Sequence, residues 1–97
     1  MKIVAVRVGQ EPVVEDIEDS VKALQTFVGG YFENQYIGNN ISLYCNEEGI
    51  RLNLARNGCG ILGNYLFTKI NPKGDMVPLS DKDIESIMEY IESRRKL

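Results

Sequence analysis

Tyr31-Phe32-Glu33-Asn34-Gln35-Tyr36-Ile37, then Gly38-Asn39-Asn40, then Ile41-Ser42-Leu43-Tyr44-Cys45 is the stretch that decides the fold. It reads as two strands around a tight turn, because Asn and Gly tolerate the positive φ such turns demand. Ile41, Leu43 and Cys45 alternate with Ser42 and Tyr44, which puts three apolar side chains on one face of the second strand. A further turn at Asn46-Glu47-Glu48-Gly49 leads to the short apolar piece Ile50 to Leu54, so the pattern continues as a meander.

Moving outward, Lys2 to Val8 is a β-branched run with Val4, Val6 and Val8 on one face and Ile3, Ala5 and Arg7 on the other. Gly9-Gln10-Glu11-Pro12 breaks it, and Val13 to Ile17 completes an antiparallel hairpin. Val21, Leu24 and Val28 then recur at helical spacing, with Asp19 or Ser20 as cap and Gly29-Gly30 as the stop. On the other side, Ile61 to Ile70 reads as the strongest strand, entered through the loop Ala55 to Gly60. Met76 to Leu79 contains Pro78 and belongs at an edge. Ser80 caps a last helix whose Ile84, Ile87, Met88 and Ile91 form one apolar stripe. The expected fold class is α+β, a single domain over residues 1–97. It has a largely antiparallel sheet of five to six strands in the order ββαβββ(β)α, with both helices on one face.

Composition narrows the chemistry. The 97 residues carry a net charge of −3 and no histidine, which removes the commonest general base and the commonest metal ligand. The acidic balance makes a nucleic-acid partner unexpected. No apolar run is long enough for a signal peptide or a membrane span, so a cytoplasmic location and reduced thiols at Cys45 and Cys59 are expected. No cofactor and no metal are expected either, and the pair Glu47-Glu48 near Asp75 reads as a solvated turn rather than a cation site.

Two groups of residues are candidates for contact with other molecules. In Arg56-Asn57-Gly58-Cys59-Gly60, glycines would let a phosphate approach backbone amides beside a guanidinium, which gives a small-ligand or nucleotide-binding reading. A plain turn leading into a strand explains the same residues. Cys59 as a nucleophile would depend on Arg56 or another cation alone to stabilise its thiolate, so the chain reads as non-enzymatic. Tyr36, Tyr44 and Tyr65 stand in the central strands and could line a partner interface. Because Val4, Val6 and Val8 leave one side of the first strand apolar, a homodimer through the uncovered sheet face or an edge is expected.

The order of these signals, with the block Leu24 to Glu33, the turn Asn46-Glu47-Glu48-Gly49 and the segment Ile61-Leu62-Gly63-Asn64-Tyr65, resembles a family of small proteins of unknown function from bacteriophages and other mobile elements. Members often have a proline and an Asn-Arg pair after the turn, where this chain has Ala55-Arg56-Asn57. The resemblance implies a single-domain α+β protein of phage or plasmid origin and supplies no catalytic residues. With the small acidic domain and the missing catalytic residue types, that setting leads us to expect a non-enzymatic accessory protein that binds a host protein, with defence or gene expression as the class of target.

Overall fold

A computed structural model describes residues 1–96. The elements follow the order β1 (Lys2–Val6), β2 (Val13–Asp16), α1 (Val21–Val28), β3 (Phe32–Gly38), β4 (Ile41–Asn46), β5 (Tyr65–Ile70), β6 (Met76–Val77) and α2 (Asp81–Ser93). This is the expected α+β class with six strands. The sheet runs β2-β1-β5-β4-β3, every pair is antiparallel, and β6 joins β5 beyond the start of β1. Val4 faces Phe67 and Leu43 faces Phe67 across the ladder, so β5 lies at the centre with β1 and β4 beside it.

Both helices start and stop as their end residues dictate. Ser20 Oγ accepts from the Ala23 amide, and Ser80 and Asp83 form a reciprocal capping box. Gly29 closes α1 at φ +82°, in the left-handed region that lets its amide and that of Gly30 reach the Gln25 carbonyl.

The expectation that both helices share one face is overturned. Ile87 and Ile91 of α2 pack with Val4, Val6, Leu43, Cys45, Tyr65 and Phe67, whereas Leu24 of α1 packs with Ile3, Ala5, Tyr44 and Leu66. Successive strand residues point to opposite faces, so the two helices cover opposite sides. The reason lies in β1, whose Ile3, Val4, Ala5 and Val6 are all buried: a strand apolar on both faces needs cover on both. Burying one isoleucine such as Ile87 is worth about 1.5–3 kcal/mol, and the stripe of α2 supplies two of them. The apolar side of β1 on which a homodimer was expected is thus covered by α2, with only Val8 of that row exposed.

Two local expectations also change. Ile50 to Leu54 forms no strand; Leu52 and Leu54 donate back to the carbonyls of Glu48 and Gly49 in tight turns, and Ile50 is 87% exposed. Its side chains have no sheet face to alternate against. The strand from Ile61 begins instead at Tyr65, because Gly60 and Gly63 both take positive φ and break the ladder, leaving Arg56 and Leu62 as an isolated bridge.

Candidate functional site

The loop 55–64 is pinned to the domain by its own polar groups. Asn57 Nδ2 donates to the Val6 carbonyl at 3.1 Å and to the Gly63 carbonyl at 2.9 Å, joining the end of β1 to the entry of β5. The Tyr65 hydroxyl donates to the Asn57 carbonyl at 3.1 Å. The Asn57 amide donates to Ile61, the Ile61 amide returns to Gly58, and the Cys59 amide donates to the Arg94 carbonyl at the end of α2. A side chain on Gly58 would stand 3.3 Å from the Arg95 carbonyl, so glycine there allows the loop to meet the helix terminus. The loop therefore caps α2. Backbone amides expected to cradle a phosphate at Asn57 and Cys59 are occupied within the chain.

What remains open is a cleft of about 380 Å³ between this loop, the turn Gly9 to Pro12 and the end of α2. Its apolar lining comes from Val6, Tyr65 and Ile91; its polar lining includes Glu11, Arg56, Cys59 and Arg95. Arg95 reaches across to Glu11 at 2.9 Å and lies 3.5 Å from Glu92. Burial above all, then the neighbouring Cys59 thiol, pushes the Tyr65 phenol up, against a smaller opposing pull from Arg95, so the phenol stays protonated at neutral pH.

Four of the five loop candidates, Arg56, Asn57, Gly58 and Cys59, line this cleft, and Gly60 lies in the separate groove described below. Sequence pattern missed Arg95 and Glu11, which lie far from the loop in the chain and meet it only through the fold. The proposed interface tyrosines separate. Tyr36 is 68% exposed, but Tyr44 and Tyr65 are core residues at 9% and 1%, because strands covered on both faces have no free side from which to present a ring.

A second groove, about 500 Å³, opens on the α2 side of the sheet between β3 and the turns after β4. Glu33, Glu47 and Glu48 line it, and Arg51 pairs with Glu48. The Cys45 thiol at its base donates to Glu33 Oε1 at 3.7 Å; burial, and secondarily the Glu33 carboxylate, raises its pKa to about 11. Both cysteines are free thiols. Asp75 lines a different pocket from Glu47 and Glu48, and among the described residues no group of three His, Cys, Asp or Glu side chains gathers to hold a metal ion. Among them, too, no helix is long and apolar enough to cross a membrane.

Residues 1–92 match a family described as a domain of unknown function, DUF3846. No curated protein and no solved structure matches the chain.

Proposed function

The chain belongs to the DUF3846 family, and from that premise we propose that it is a non-enzymatic binding domain whose cleft at the end of α2 takes a small anionic molecule. The observation that carries the reading is that Arg56 and Arg95, from segments distant in sequence, line one cleft together with the apolar side chains of Val6, Tyr65 and Ile91. Such an apolar lining with a few polar groups is how small-molecule sites combine affinity with orientation. Arg56 and Arg95 supply planar forks suited to a carboxylate or phosphate, and Glu11 holds Arg95 in place until a ligand competes for it. The absence of histidine, the commonest general base, favours binding over turnover.

Calorimetry against mononucleotides and cyclic nucleotides tests the proposal. Binding heat should appear with an anionic ligand and weaken about tenfold or more in Arg56→Ala, the loss of one charge-assisted hydrogen bond. No heat with any of these ligands, or unchanged affinity in Arg56→Ala, sinks it.

A second reading, favoured by the exposed Tyr31, Tyr36 and Ile50, is an accessory protein of a phage or mobile element that binds a protein in the bacterial cytoplasm, with host defence as one class of target. Its support is the sequence resemblance together with these large apolar side chains left in water. Affinity capture from host lysate should enrich a partner that is lost in Tyr36→Ser/Ile50→Ser; a bait that enriches nothing removes this reading.

A further inference from the structure

The sheet ends on one side at β3, and among the described residues no other strand pairs with its outer edge. The Glu47 amide donates to the Tyr31 carbonyl, which fixes Tyr31 and Glu47 as a hydrogen-bonded pair. In an antiparallel ladder such pairs alternate, so Glu33 and Gln35 also bond toward β4 and the amides and carbonyls of Phe32, Asn34 and Tyr36 point outward. The register is regular from Phe32 to Tyr36 and shifts only between Tyr36 and Gly38. That leaves a usable edge of five residues.

The side chains beside this edge are sorted by face. On the α1 side stand Phe32, whose ring packs edge-on against Tyr44 at 5.2 Å, and the exposed Tyr36. On the α2 side stands Glu33, exposed and bordering the groove that also holds Glu47 and Glu48, with Arg51 already paired to Glu48. One edge thus presents aromatic surface on one face and uncompensated carboxylate on the other.

We propose that the β3 edge is a strand-addition site for an extended protein segment in which basic residues alternate with apolar ones. The basic side chains would stand opposite Glu33 and the groove, and the apolar ones against Phe32 and Tyr36. Main-chain bonds to Phe32, Asn34 and Tyr36 hold the added strand, and the alternation selects it. A second copy of this chain brings the same carboxylates to the same edge and is disfavoured by like charge. This inference rests on the protein-binding reading and names the chemistry of the partner.

The probe is a synthetic peptide of alternating lysine and valine, titrated into labelled protein and followed by amide chemical shifts, with an alternating glutamate and valine peptide as comparison. Shifts should concentrate at 31–36 and around the groove, with the lysine peptide binding at least tenfold more tightly than the glutamate peptide. Asn34→Pro removes an outward amide without touching the β4 ladder, and should weaken binding at least tenfold while leaving the circular dichroism spectrum and melting profile native-like. Glu33→Lys should reverse the preference between the two peptides. The proposal is overturned by an absence of shifts at the edge, by equal affinity for both peptides, or by shifts that depend on protein concentration without peptide, which would mean that the edge pairs with a second copy. A lysate partner that Asn34→Pro still captures leaves protein binding standing and removes this edge as its site.

Discussion

Asn46 and Asn57 perform the same task at two places with different outcomes. Asn46, only 5% exposed, donates to the Val28 carbonyl at the end of α1 and accepts from the Glu48 amide at 2.7 Å. It thereby locks the helix stop Gly29-Gly30 to the turn after β4, and a side chain on Gly30 would stand 3.2 Å from its Nδ2. Asn57 likewise ties distant backbone together at Val6 and Gly63, but one flank of its loop stays open as a cleft. The first junction is closed by a short helix lying directly against it. The second faces the far end of a longer helix, whose charged tip leaves space beside it. Closed polar junctions hold a fold together; an open one of the same design also leaves groups for a ligand.

Replacing each asparagine by alanine is the sharpest way to test that contrast. Each change strands buried or half-buried backbone groups, so each should cost about 2–3 kcal/mol in urea unfolding. The two should differ in function: Asn57→Ala should also weaken binding in the cleft, and Asn46→Ala should leave it unchanged in protein that remains folded. Equal effects of both on ligand affinity would show that stability alone links the loop to binding.

The glycines of the open loop give a smaller effect of the same kind. Gly58 has φ +81° and faces the Arg95 carbonyl, whereas Gly60 has φ +72° with open space where a side chain would go. Both alanine variants meet backbone strain of about 1 kcal/mol or more, and Gly58→Ala adds a crowded contact with backbone. Gly58→Ala should therefore unfold at lower urea than Gly60→Ala. The reverse order would mean that the loop does not hold the end of α2.

These junctions show how far the sequence could be read. Helix stops and caps were legible because Ser20, Gly29 and Ser80 act on neighbours a few residues away. The central strands were legible from alternation and β-branching. Asn46 reads as part of a turn, and its bond to Val28 joins residues 18 apart, a distance that no local pattern encodes. Gly49 reads as a turn glycine, yet its backbone shows no positive φ; a side chain there would meet Leu62 Cβ at 3.0 Å, so close packing is what requires glycine. Helix placement does not follow from the general rule that helices gather on one face of an antiparallel sheet. Ile3 and Ala5 beside Val4 and Val6, and the consecutive Tyr65-Leu66-Phe67, already signal strands buried on both faces. The cleft was half legible: Arg56 to Cys59 lie together in sequence, but Glu11 and Arg95 join them only through the hairpin and the final helix.

Each face of the sheet also carries a part-buried ion pair that acid should weaken, the smallest of these effects. On the α1 side Arg7 grips Glu15 with bonds of 2.9 and 2.6 Å and lies 4.9 Å from the centre of the Phe27 ring. The bond from Arg7 holds the Glu15 carboxyl below its ordinary range, against a weaker opposing effect of burial. On the α2 side burial acts to raise Asp83, but the Ser80 amide and Lys69 Nζ at 3.0 Å together bring it below its ordinary value. Since both folded-state pKa values are depressed, their contributions are fully present above the unfolded-state pKa of about 4 and are lost as pH falls through the folded values. Partial exposure limits each pair to about 1 kcal/mol or less. Arg7→Met and Lys69→Met should each flatten the loss of stability below about pH 4, and Lys69→Met should flatten it less, because the Ser80 amide still favours ionised Asp83 after Lys69 is gone. Urea midpoints measured from pH 6 to pH 3 check this; parallel curves for the wild type and both variants would show that neither pair contributes to stability in this range.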